Sequence, residues 1–224
     1  MAGASPVAAP PPSDEERTVD WCIHALNAIN DEARLVEALA LLGEALAAQD
    51  DALVDQGQIR RLGRVLRRAG CVELLAGPLV RHTSPDVHTC SLLVLGNLAA
   101  DDLDPESALK VKGIVRATDG AVRTIVRHLF SPREDTLMYA LGCLMNVVGA
   151  VQDAAIINEE EALQKLMELS SCGDKQLEAF ASGTLQNMQA SLRRELHERD
   201  ASRLFAKSLY VSAATAIQAT TRGW

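Results

Sequence analysis

The chain has 224 residues, 48% of them hydrophobic but only 3% aromatic, and carries a formal net charge of −8. That length supports one sizeable core or a short repeat array, and an Ala/Leu/Val chemistry so poor in aromatics favours helices over a β-sandwich. A net-negative chain is poorly suited to nucleic acid or an anionic membrane as its main partner, and no stretch is long and apolar enough to span a bilayer.

In chain order, residues 1–17 open "MAGASPVAAPPPSDEER". Without a basic n-region this is a poor secretory signal, and its prolines and small residues predict a disordered tail. From Thr18 the pattern turns helical. Leu35, Leu39, Leu42 and Leu46 recur at spacings of three and four, one stripe of a helix. Next comes "IRRLGRVLRR", which puts Arg60, Arg61, Arg64, Arg67 and Arg68 on one face and Ile59, Leu62, Val65 and Leu66 on the other. Such a face could grip an acidic partner through bidentate pairs, or simply be solvated over its own apolar flank. Beyond it, "VELLAGPLV", "AVRTIVRHLF" and "ALQKLMEL" read as short helices, followed by the turn signals "TSPD", "SPRED" and "SSCGD". No alternating strand pattern survives, so the fold class is all-α.

Three apolar helices then carry an amide in one local setting: Asn97 in "SLLVLGNLAADD", Asn146 in "ALGCLMNVVGA" and Asn187 in "SGTLQNMQA". Residues 70–98 and 120–147 both open on a Gly, run through Val-Arg-His, cross a Ser-Pro turn and close on Leu-x-Asn. Opening Gly and Asn are 27 and 26 residues apart, and a third copy counted from Glu160 has the same length of 27. Successive Asn residues lie 49 and 41 residues apart. That is close to the period of about 40–47 of two- and three-helix solenoid repeats. The polar insert "DDLDPES" accounts for the longer period.

"GAVRTIVRHLFSPREDTLMYALGCLMNVVGA" resembles an armadillo repeat: a Gly, a second helix, a Ser-Pro turn, and a third helix ending on Asn. HEAT repeats are the nearest confusable family. The resemblance covers about residues 58 to 190. "ALALLGEALAA" looks like the third helix of a degraded earlier unit, with Glu44 in place of the Asn. The implied fold is a right-handed α-solenoid in which stacked repeats share one core. The implied organisation is a tail at 1–17, a degraded repeat or cap at 18–57, repeats over 58–200 and a C-terminal helix at 201–224. Gly142 and Gly183, each four residues before an Asn, are expected to let consecutive helices approach closely.

In armadillo proteins the third helices line a concave groove, so the resemblance makes Asn97, Asn146 and Asn187 a ladder for the backbone of an extended peptide. An amide offers a peptide unit both donor and acceptor. The alternative is that each Asn satisfies orphan carbonyls at helix ends. Nuclear-import adaptors of the family carry a Trp four residues before the Asn, where this chain has Leu93, Gly142 and Gly183, so the aromatic walls for lysine stems are missing. The implied function is a non-catalytic protein-interaction scaffold with protein or peptide partners.

The C-terminal "AATAIQATTRGW" resembles the first half of an IQ motif through Ile217, Gln218, Arg222 and Gly223. That resemblance implies calmodulin or a related EF-hand protein as partner; the other reading is a plain amphipathic tail. A stop at Trp224, inside the motif, is what a piece of a longer repeat protein would give.

Catalysis is poorly served. The five histidines lack metal-ligand spacing, there is no phosphate-cradling glycine loop and no GxSxG, and His82 and His128 are repeat-equivalent, which points to a structural position. No catalytic or metal residue, cofactor or small-molecule substrate is expected. Five scattered cysteines (Cys22, Cys71, Cys90, Cys143, Cys172) without a CxxC pair point to a reducing compartment, the cytoplasm first and the nucleus second.

Overall fold

A computed structural model of the chain describes residues 14–47, 56–102 and 104–221, with side chains described between 17 and 200. No strand occurs among the described residues. The chain divides into two compact units, one ending at Val147 and the other beginning at Val148.

The first unit opens with α1 (Asp14–Asn27) and α2 (Glu32–Ala47). Helix therefore begins within the segment expected to be tail, two residues after the last proline, Pro12, as soon as the helix-breaking run ends. Two three-helix repeats follow. The first comprises α3 (Gln56–Arg68), α4 (Cys71–Leu74, continued by a π-helical turn Leu75–Leu79) and α5 (Pro85–Leu98). The second comprises α6 (Pro105–Ala117), α7 (Ala121–Arg127, continued by a 3-10 turn His128–Phe130) and α8 (Glu134–Val147). Three helices per repeat is the armadillo pattern rather than the helix pair of HEAT. Part of the expected polar insert is itself the start of α6: Asp104 caps it, accepting from the Ser107 amide at 3.2 Å, and Pro105 takes the first helical position.

Each short second helix opens on a residue in the left-handed region, Gly70 at φ 77° and Gly120 at φ 64°. This lets the chain reverse sharply after the preceding helix at little steric cost. Pro78 explains the π turn: its ring lacks an N–H and crowds the carbonyl four residues back, so the helix widens and Val80 donates to the Leu75 carbonyl, five residues away, at 3.1 Å.

The third helices α2, α5 and α8 lie side by side in that order, and the core runs along their seams. Leu35, Leu39, Leu42 and Leu46 of α2 are all buried, as their spacing predicts, with Leu92, Leu95, Leu141 and Leu144 on α5 and α8. Burying such a leucine stabilises by roughly 1.5–3 kcal/mol. A close approach occurs where a Cβ on Gly96 would stand 3.2 Å from the Cα of Cys143, and another where a Cβ on Gly43 would meet Leu93 Cδ2 at 2.9 Å. These glycines sit beside the Asn-equivalent positions, one residue before Asn97 and Glu44. Across the same α5–α8 seam the Thr89 and Thr136 hydroxyls bond at 2.6 Å.

The second unit contains α9 (Val151–Glu159), α10 (Ala162–Leu169) and α11 (Lys175–Thr221), again three helices in repeat order. The buried Asp153 carboxylate accepts from the Gly149 and Ala150 amides at 3.0 and 2.9 Å and holds the entry to α9. Arg194 of α11 donates to the Gly149 carbonyl at 2.9 Å. The turn into α10 is made by Glu161, at φ 57°. The opening position of this repeat is thus Glu161, one residue later than the count from Glu160, and its spacing to Asn187 of 26 equals that from Gly120 to Asn146. Here a side chain occupies a conformation that glycine takes in the other two repeats.

Candidate functional site

On α5 the residues left partly open between the two seams are Asp86, Cys90, Leu93 and Asn97, at offsets of four, three and four. On α8 they are Asp135, Tyr139, Gly142 and Asn146, in identical register. Side chains spaced this way share one helix face, so the two helices present matching half-buried stripes side by side. On α2 the corresponding positions hold Glu37, Ala40 and Glu44, the first and last exposed. The two aspartates are bridged across the repeats by Arg133, whose Nη1 donates to Asp86 at 2.8 Å and Nη2 to Asp135 at 2.8 Å. Hydrogen bonding to Arg133 holds the Asp135 carboxyl below its ordinary value. Burial, with Asp86 and Asp135 nearby, pushes the Cys90 thiol up.

The three amides have different environments. Asn146 Nδ2 donates to the Gly96 carbonyl at 3.1 Å. Near the end of α5 the Leu95 and Asn97 carbonyls accept from the Ala99 and Ala100 amides. Asn146 thereby satisfies an orphan carbonyl of the neighbouring repeat. Asn97 Nδ2, by contrast, is buried with no hydrogen-bond partner. The neighbouring helix differs: on α2 the equivalent of Gly96 is Gly43, and α2 continues four residues further, so that carbonyl lies inside the helical ladder and is no orphan. The partner Asn146 finds has no counterpart for Asn97. Asn187 and Gly183 lie half-buried on α11 in the second unit, where Asn187 has a polar partner.

The arginines of α3 do not form one uniform face. Arg60, Arg61, Arg64 and Arg68 are exposed and Arg67 is half-buried. Arg67 Nε reaches the Ser107 hydroxyl at 3.4 Å, and Arg64 Nε lies 3.7 Å from the Asp104 carboxylate. Two of the five therefore brace the start of α6. Leu93, expected in the groove, also fills the space left by Gly43. Of the IQ-like residues, Ile217 and Gln218 fall within α11, while Arg222 and Gly223 lie outside the described residues. Tyr139 was missed by reasoning from Asn alone. Its signal was its position seven residues before Asn146, one helical turn from Gly142.

No family model and no curated protein matches the chain. Solved structures do. An engineered protein whose crystal structure comes from the Northeast Structural Genomics Consortium superposes with a TM-score of 0.57 at 19% identity, covering 79% of this chain and 64% of its own. A designed armadillo repeat protein superposes with a TM-score of 0.53 at 18% identity, covering 74% of this chain and 62% of its own. This chain thus spans less than two thirds of the length of either. With the three-helix repeats, these likenesses establish an all-α, armadillo-type solenoid fold.

Proposed function

We propose that this chain is a non-catalytic interaction scaffold that holds an extended peptide segment against the stripe shared by α5 and α8. The observation that carries this reading is the orphaned amide of Asn97. Leaving a buried donor unpaired costs about 1–3 kcal/mol, and an apolar residue there would avoid that cost. An amide torsion is soft, so a modest rotation turns Nδ2 toward the stripe, where a peptide carbonyl can accept from it. Leu93 and Gly142, one turn back on each helix, leave a shallow apolar floor beside Tyr139. One Asn146 N–H is taken by the Gly96 carbonyl, so Asn97 is the amide whose nitrogen has most to gain from a peptide carbonyl.

The test is a peptide selected against the folded chain from a random library and titrated into wild type, Asn97→Leu and Asn146→Ala. Asn97→Leu should weaken binding by about tenfold while leaving stability equal or higher. Undiminished affinity in that variant rules the reading out.

A second reading keeps the scaffold and adds a tail: α11 carries Ile217 and Gln218 in unbroken helix, the conformation an EF-hand protein takes up from its targets. Calorimetric titration with calmodulin, with calcium and with chelator, tests it, and no heat in either condition removes it. The free cysteines support a reducing compartment, cytoplasmic or nuclear.

A further inference from the structure

The Val-Arg-His segments at 80–82 and 126–128, set aside above as structural, come together in space. Val80, Arg81 and His82 of the first, with Arg127 and His128 of the second, join His88 and Arg123 around an open pocket of about 600 Å³ between consecutive repeats, made by the turn before α5 and by α7. Its polar lining is Arg81, His82, His88, Arg123, Arg127 and His128, with Asp119 as counter-charge. In a chain of net charge −8, three arginines and three histidines line one cavity against a single aspartate. We propose that this pocket binds a phosphoryl group.

The hydrogen bonds define what each group can offer. Arg81 Nη2 donates to the Asp119 carbonyl and its Nε to Thr124 Oγ1 at 3.3 Å, which fixes the guanidinium plane and leaves Nη1 without a bond among the described residues. His82 Nδ1 accepts from the Ser84 amide at 3.1 Å, so its neutral ring carries the proton on Nε2, a donor. His88 Nδ1 lies 3.1 Å from the His82 carbonyl and His128 Nε2 lies 2.9 Å from the Val80 carbonyl. A carbonyl only accepts, so both nitrogens donate, and each ring keeps its other nitrogen for a proton. The two rings pack with centroids 4.5 Å apart. Burial, and to a smaller degree His88, pulls the His128 imidazole below its ordinary value while its bond to Val80 opposes this. An anion placed in the pocket would favour the doubly protonated ring.

A phosphate monoester matches this set better than a carboxylate does. It brings close to two negative charges and three acceptor oxygens, enough for several cations, whereas one arginine fork saturates a carboxylate. Nor does the histidine trio address a metal ion: among the described residues no three His, Cys, Asp or Glu side chains are grouped to hold one. The pocket stands on its own residues. His88 is nine residues from Asn97 along α5, about 13 Å at the helical rise, so the site holds whether or not a peptide lies against that amide.

The phosphoryl group could come from a phosphorylated side chain or from free phosphate, and the experiment separates them. The full chain at pH 7.4 and fixed ionic strength is titrated with inorganic phosphate, with a short phosphoserine peptide and with its unmodified serine counterpart. Imidazole Hε1 resonances are followed alongside the heat. Either phosphate source should move the His82, His88 and His128 signals, with His128 moving downfield, and leave the exposed His24 and His197 unmoved. An Arg123→Gln/Arg127→Gln variant should bind at least about tenfold more weakly. Tighter binding of the phosphopeptide assigns the site to phosphorylated protein segments; equal or tighter binding of inorganic phosphate assigns it to the free anion. Five histidine signals that stay still or move together, or serine peptide binding as well as phosphoserine peptide, overturns the proposal. The wild-type signals decide this even if the double variant fails to fold.

Discussion

Replacing Gly96 and Gly113 by alanine, one at a time, should give opposite results from the same chemical change. Both lie inside helices, where alanine is favoured over glycine by about 1 kcal/mol. A Cβ on Gly113 meets no heavy atom within 4 Å, so Gly113→Ala should keep that gain whole. A Cβ on Gly96 meets backbone of α8: Cys143 Cα at 3.2 Å and its N at 3.4 Å. Comfortable carbon contacts begin near 3.5 Å, and backbone cannot swing aside as a side-chain tip can. Helices α5 and α8 must separate by a few tenths of an ångström, at an overpacking cost of about 1–3 kcal/mol. The shift also stretches the 3.1 Å bond from Asn146 to the Gly96 carbonyl, worth about 1 kcal/mol. Gly96→Ala should therefore be less stable than wild type by about 1–2 kcal/mol, despite its better helix propensity. Both glycines lie in the first unit, so chemical denaturation of one transition compares them directly. Thermal melts should move about 2–4 °C per kcal/mol for a chain of this size, upward for Gly113→Ala and downward for Gly96→Ala. Equal stabilisation by the two substitutions would refute the close approach of α5 and α8.

Three further outcomes are expected. Glu161→Gly should stabilise the second unit by roughly 0.5–1 kcal/mol by relieving its left-handed backbone, less the entropy glycine loses on folding; urea unfolding followed by a probe in α9–α11 checks it. Asp135 lies below its ordinary 3.8 when folded, so its contribution is present above that pH and lost as pH falls through the lower folded value. The stability gap between wild type and Asp135→Asn should accordingly close in acid, starting from no more than about 1 kcal/mol because the pair with Arg133 is largely solvated. Burial pushes Cys22 and Cys71 up to about 11 and Cys143 up to about 12. Native-state alkylation followed by mass mapping should therefore modify the exposed Cys172 first and reach those three only on unfolding.

Much of this protein was determined by sequence alone. The all-α class, the repeat period and the burial of Leu35, Leu39, Leu42 and Leu46 all follow from local rules: the helical spacing of apolar residues and the recurrence of one segment pattern. Two things were left to tertiary structure. The amides of Asn97 and Asn146 share a Leu-x-Asn setting, yet one is bonded and the other is orphaned, where α2 extends a full turn past Gly43 while α5 ends just after Gly96. That difference is a property of the neighbouring helix and leaves no mark beside either Asn. The second is the basic pocket. His82, His88 and His128 are up to 46 residues apart with no ligand spacing, and each looks structural until stacked repeats bring the turns together. Periodicity reports which face of a helix is buried; which partner each polar atom finds depends on where the adjacent repeat starts and stops.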